Sequence, residues 1–225
     1  PSTHTTPNAI RINELLSQMV KDGCSHVFME VSSHALDQNR VSGLSFDIGV
    51  YTNISRDHMD YHPTLNDYIG AKKKLFDSLK NDALAIVNFD DPYGEEMVRD
   101  INAKPFSYGL KGDFDFKGKI VENNISGLSV EIDGFEMTSR LIGEFNAYNL
   151  LVVFAVAKSL GEEALTVLTI ISNLKAPDGR FEYIVSTRNV TAVIDYAHTP
   201  DALENVLKTL VSLKSDNEKI FTVFG

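Results

Sequence analysis

The chain is 225 residues long, 43% hydrophobic, with a formal net charge of −10: room for one large domain, or one and part of a second, around a sizeable core. Basic residues are scattered apart from Lys72-Lys73-Lys74, which excludes a broad nucleic-acid-binding surface and leaves space for a local anion site. The single cysteine, Cys24, excludes an internal disulfide and a Cys-rich zinc centre and favours a reducing, cytoplasmic setting. No run approaches the ~20 apolar residues that span a bilayer, and no signal-peptide pattern opens the chain. A first residue other than Met, and a stop after a strand-like run, set the expectation of a piece of a longer protein.

Residues 1–8 are polar and turn-prone, with Asn8 placed to cap a helix over 9–22 whose apolar face is Ile12, Leu15, Leu16 and Met19. Gly23 follows in the position where a left-handed residue is cheap. Val27-Phe28-Met29 reads as a buried strand running into Glu30-Val31-Ser32-Ser33-His34. An ionised carboxylate is costly to bury, so Glu30 is expected to face a cation, a partner or water, or to sit in an ordinary strand-end salt bridge. Residues 35–45 form a short helix or loop carrying Gln38 and Arg40, and a strand follows over 46–52.

Everything else is arranged around 53–76, NISRDHMDYHPTLNDYIGAKKKLF. Its turn crosses the carboxyl end of the strand before it, where open α/β sheets place their ligands. From Leu65 a helix is predicted with Tyr68, Ala71, Leu75 and Leu79 on one face. On spacing alone, its His, Asp and Lys residues fit a polar loop and a solvated helix face as well as a site.

A strand over 83–88, a polar turn, a helix to about 99 and a strand over 105–108 continue the β–α alternation of a mostly parallel sheet flanked by helices. Alternating segments at 114–122, 128–132 and 135–141, joined by turns including Asp133-Gly134, read as a small antiparallel insert. Helices over 146–160 and 163–174 come next. The Pro-Asp-Gly cluster at 176–180 marks a domain boundary, giving domains 1–176 and 177–225. Strands at 183–186 and 191–195, a helix at 200–213 and a strand at 220–224 then read as the opening of a second, Rossmann-like α/β domain. The fold class is α/β.

The strings MEVSSHAL, RDHMDYH and DYAHTPD, with TTP at 5–7 and GEFNAYN at 143–149, closely resemble the Mur ligases, nearest the MurE type, over essentially the whole chain. That resemblance implies an ATP-dependent ligase adding the third amino acid to UDP-MurNAc-L-Ala-D-Glu through an acyl phosphate, with ATP and Mg2+ as cofactors. Glu30 and His58 match the family's magnesium ligands. Lys72 matches its carbamylated lysine, whose carbamate supplies an anionic oxygen where an ammonium would repel the metal. Lys73 and Lys74 are expected to be ordinary helix-surface lysines. Thr5, Thr6, Ser32, Gln38 and Arg40 match positions that hold the nucleotide-sugar peptide. Asn146, Asn149, Arg180, Asp195, Tyr196 and His198 match the nucleotide side.

Asn146 has an alternative reading as a helix N-terminal cap, DYAH as a plain turn, and His34 is read as structural. His4 stands where the family usually has Asn, and APDGR replaces a shorter PGR. The implied partners are the nucleotide-sugar dipeptide and lysine or meso-diaminopimelate, with no nucleic-acid or membrane partner and a monomeric state. A sister ligase of the cyanophycin or folylpolyglutamate synthetase type, or a non-catalytic binding module, are the competing readings. No G-x-x-x-x-G-K-[ST] loop occurs, so the polypeptide alone is expected to be inactive.

Overall fold

The computed structural model describes residues 5–55, 59–187 and 190–223. They form two compact units, one up to Phe106 and one from Ser107 onward. Seven helices and eight strands are found among the described residues, and the class is α/β as the β–α alternation predicts. Six strands are hydrogen-bonded in chain order β1 to β6, and β7 and β8 form a separate pair. No helix among the described residues is long and apolar enough to cross a membrane.

In the first unit, α1 (Ala9–Lys21) is capped by the Asn8 side chain, which accepts from the Arg11 N–H. It closes on Gly23 at φ 81°, with Gly23 N–H on the Val20 carbonyl and Cys24 N–H on that of Met19, the paired closure that glycine makes cheap. The predicted strand at Val27-Phe28-Met29 does not form: no ladder pairs this segment among the described residues, and Val27 and Phe28 are 43% and 76% exposed. Apolarity there reports an affinity for burial, and only Met29 finds a core, beside Ile12, Leu36 and Val41.

Helix α2 (Ser33–Asp37) starts at a Ser32 cap. Strand β1 (Ile48–Tyr51) pairs in parallel with β2 (Leu84–Asn88). Helix α3 (Leu65–Asp77), capped by Thr64, lays Ile69, Phe76 and the following Leu79 against Tyr51, Ala85 and Val87. Full burial of such a side chain contributes about 1.5–3 kcal/mol. A short α4 (Gly94–Met97) adds Met97, fully buried, to the same core. The carboxyl end of β1 is fixed by side chains at and just past the end of β2: Tyr51 Oη donates to Asp91 at 2.7 Å, Ile54 N–H donates to the same carboxylate, and Asn88 donates to the Thr52 carbonyl at 2.8 Å.

Strand β3 (Lys104–Gly109) leads into the second unit. It pairs in parallel with β4 (Phe116–Asn124) over only two residue pairs, since the 110–115 connection is shorter than a full crossover. Asp115 closes that connection, its carboxylate accepting from both the N–H and the hydroxyl of Ser107. The antiparallel insert is β4, β5 (Gly127–Ile132) and β6 (Phe135–Ser139). Asp133 and Gly134 both have positive φ, 54° and 78°, the two-residue turn their sequence announces.

Helix α5 (Glu144–Ser159) buries Leu150, Leu151, Phe154 and Ala155, and α6 (Ala164–Ser172) packs beside it. Strands β7 (Glu182–Val185) and β8 (Thr191–Ile194) are antiparallel. Helix α7 (Pro200–Leu213) begins at a Thr199 cap. The expected strand at 220–224 is absent from its described residues, with Phe221 and Val223 85% and 95% exposed. Like the segment at 27–29, it has apolar residues and no ladder partner.

Candidate functional site

In the first unit the organising side chain is Thr6, fully buried. Its hydroxyl donates to the Glu30 carbonyl at 2.9 Å and accepts the Ser32 N–H at 3.1 Å. Ser32 in turn caps α2 by accepting from the Ala35 N–H. The TTP stretch is thereby sewn to the end of the 24–32 segment, and the Glu30 side chain is left exposed. Arg40 donates to the Thr6 carbonyl at 2.8 Å and to the Gln38 side-chain oxygen. Thr6, Ser32, Gln38 and Arg40 are therefore brought together; Thr5 is exposed beside them.

Behind this patch stands a column of rings that sequence reasoning passed over. His62 is 3% exposed and shares a 2.9 Å hydrogen bond with the buried hydroxyl of Ser33. Its ring stacks on Tyr68, centroids 5.1 Å apart. Tyr68 lies one turn before Lys72, whose Nζ sits 5.0 Å over its ring. The only signal for His62 in the sequence was its place in RDHMDYH. His34 packs on Tyr61 at 4.1 Å, in line with a structural role.

The lysine triplet fans out because successive helical residues point about 100° apart. Lys72 faces the Tyr68 ring, Lys73 donates to Asp77 and to the Arg99 carbonyl, and Lys74 donates to Asp37. Lys73 is only 17% exposed, so it is a partly covered clasp to the end of α4 where an ordinary surface lysine was expected.

The second unit gathers the other predicted set around the start of α5 and the ends of β7 and β8. Asn146 is buried, donates to the Ile142 carbonyl at 2.8 Å and accepts from Asn149 at 3.2 Å. It is not the helix cap that its position suggested, since Gly143 holds that place without a side-chain hydrogen bond; its amide ties the first turn back to Ile142 instead. Asp195 spends its two oxygens on backbone, accepting from Phe181 N–H at 2.8 Å and Ala197 N–H at 2.7 Å. Phe181, 2% exposed and at φ 47°, meets Phe145 edge-on at 5.6 Å. Its neighbour Arg180 lies 5.2 Å over the Tyr196 ring, and Tyr196 is 5.0 Å from His198. A guanidinium, a phenol and an imidazole thus form one platform, with the Tyr196 ring 64% exposed.

Residues 1–157 match the Mur ligase middle domain, and residues 179–225 match the Mur ligase glutamate ligase domain. The chain belongs to the Mur ligase family. It is 51% identical over 224 residues to the UDP-N-acetylmuramoyl-L-alanyl-D-glutamate--2,6-diaminopimelate ligase of Cytophaga hutchinsonii, and 47% identical over 225 residues to that of Parabacteroides distasonis. All of this Mur ligase chain is covered in both alignments, and 46% of each relative; the chain spans about half the length of the curated relatives it matches. A solved structure of a ligase of the same name superposes at TM-score 0.80 with 33% identity, over 96% of this chain and 46% of that one. The MurF ligase of Thermotoga maritima in complex with ADP shares the fold at TM-score 0.65 and 20% identity, over 80% of this chain and 42% of that one.

For a magnesium ion in this Mur ligase the donor set is incomplete among the described residues. No group of three His, Cys, Asp or Glu side chains comes together there, and His58, like His4, lies outside the described residues. Glu30 offers an exposed carboxylate, the hard oxygen donor that magnesium prefers. Lys72 fits only as a carbamate, because an aromatic face attracts an ammonium and a metal repels one. A carbamate at Lys72 would lose that attraction to the Tyr68 ring.

Proposed function

We propose that the Mur ligase containing this chain joins an amino acid to UDP-MurNAc-L-Ala-D-Glu with ATP, and that the amino acid is 2,6-diaminopimelate. The observation that carries the proposal is the identity of 51% and 47%, over the whole chain, to ligases named for that reaction. The chemistry of the two clusters supports it. In the first unit, the Ser32 hydroxyl, the Gln38 amide and the Arg40 guanidinium converge around the buried Thr6, a set suited to phosphate, sugar hydroxyls and carboxylate. In the second, the Arg180–Tyr196–His198 platform pairs a flat π face with a cation, matching a base and its phosphates.

In this reading a substrate carboxylate oxygen attacks the terminal phosphorus of ATP, ADP leaves, and the acyl phosphate accepts the amine with loss of phosphate and a proton. Arg40 holds the acceptor's anionic group and Arg180 the nucleotide's phosphates. Each offsets negative charge on its own ligand. Asn149 holds the adenine side, with the buried Asn146 positioning it, and Asp195 keeps Arg180 in place by pinning the residue after it. Glu30, His58 and a carbamylated Lys72 would hold Mg2+, which neutralises phosphate charge when bound. The division of labour is placed at 176/177, a nucleotide-activated substrate with ATP fits a cytoplasmic enzyme, and a monomer is the state proposed.

The test is ADP release by the protein at the full length of its relatives, given UDP-MurNAc-L-Ala-D-Glu with either diaminopimelate or lysine. Release that requires the nucleotide-sugar peptide and diaminopimelate is expected. Release with lysine alone overturns the amino-acid assignment; no release with either overturns the reaction.

A further inference from the structure

Arg40 and Gln38 lie side by side because Asn39 between them takes a left-handed conformation, φ 55°, which Asn tolerates better than most residues. Three of the five guanidinium N–H groups are engaged: Nε and Nη2 on Gln38 Oε1, and Nη1 on the Thr6 carbonyl. Both acceptors are neutral, so the arginine is held without being neutralised.

The way Gln38 faces is fixed from both sides, since Arg40 has only donors and takes the amide oxygen. Lys74 Nζ donates to Asp37 Oδ1 at 2.7 Å, and Tyr61 Oη donates to Asp37 Oδ2 at 2.9 Å. With its proton committed to a carboxylate, the Tyr61 oxygen can only accept, and it accepts from Gln38 Nε2 at 3.2 Å. That turns the amide's NH2 toward Tyr61 and its carbonyl toward Arg40. Donation runs one way from Arg40 through Gln38 and Tyr61 to Asp37, which also accepts from Lys74 on α3 on its other oxygen. Asp37 is kept ionised by the same contacts, the Lys74 hydrogen bond first and that of Tyr61 second, which hold its carboxyl below the usual range.

We propose that Tyr61 and Asp37 are positioning residues for Arg40: by orienting Gln38 they hold the guanidinium in place with its charge intact and two N–H groups left for an anionic oxygen group of the acceptor substrate, carboxylate or phosphate. Neither residue touches that group; both act through Gln38. The inference rests on the reading of Arg40 as a substrate contact.

The experiment measures Kd for UDP-MurNAc-L-Ala-D-Glu by calorimetry on the full-length protein, for wild type, Arg40→Ala, Tyr61→Phe and the double variant, with ATP binding as the control. Tyr61→Phe keeps the ring contacts to His34 and His62, at 4.1 and 4.9 Å, and removes only the hydroxyl. Expected are a rise in Kd of about tenfold in Tyr61→Phe, no further rise when it is added to Arg40→Ala, and unchanged ATP affinity. A second variant, Gln38→Glu, should also weaken binding, because it neutralises the guanidinium while keeping its shape. Additive effects in the double variant, or a Tyr61→Phe Kd equal to wild type while Arg40→Ala binds weakly, overturn the positioning role alone. If Arg40→Ala binds as wild type does, the substrate contact falls and the inference with it.

Discussion

Thr6 shows how much one hydroxyl can organise. It is fully buried and serves a carbonyl and an N–H from a segment that makes no ladder of its own. Thr6→Val keeps the volume and strands both groups, so unfolding in urea should show a loss of about 1–3 kcal/mol. Thr6→Ser should retain most of it; equal losses would mean that the methyl matters and the hydroxyl does not. Thr6, Ser32, Gln38 and Arg40, singled out from distinctive strings, are brought together by the fold. Tyr61 and Asp37 were not legible. Their link to Gln38 and Lys74 spans 23 and 37 positions, and no local periodicity encodes a contact of that separation.

Among the elements, those with their own start and stop signals were read within a few residues. Asn8, Thr64 and Thr199 cap helices through their side chains, and Asp133-Gly134 makes the turn its composition demands. The segments at 27–29 and 220–224 were misread because apolar composition indicates a wish for burial, while a strand needs a neighbour's hydrogen bonds. Glycines separate two kinds of constraint. A Cβ at Gly134 meets nothing within 4 Å, so Gly134→Ala should lose only the left-handed penalty, about 1–2 kcal/mol. A Cβ at Gly94 would stand 2.2 Å from the Asn88 carbonyl oxygen, so Gly94→Ala must shift the loop that holds the end of β1. Thermal unfolding should rank Gly94→Ala as clearly the more damaging, upwards of about 2 kcal/mol; the reverse order would contradict this packing.

For the molecule as a whole, pH exposes a dependence that the acidic composition hides. Burial, then the hydrogen bond to Asp91, pushes the Tyr51 phenol well above its ordinary pKa of 10.0. A raised folded-state pKa adds stability that is complete below the unfolded value and is lost as pH rises past it. Stability should therefore fall above pH 10, by up to about 1.4 kcal/mol per unit from this group. Phenolate absorbance should show one tyrosine titrating only with unfolding, and Tyr51→Phe should remove that share of the slope. An unchanged slope would place the alkaline sensitivity elsewhere.

The double hold of Asp195 on Phe181 and Ala197, with Tyr196 N–H on the Gly179 carbonyl, makes 179–182 and 194–197 one mechanical piece. Any pivot between α6 and this hairpin must lie ahead of Gly179, in 173–178. Arg180 belongs to that piece, and Phe181 is where it meets Phe145 of α5.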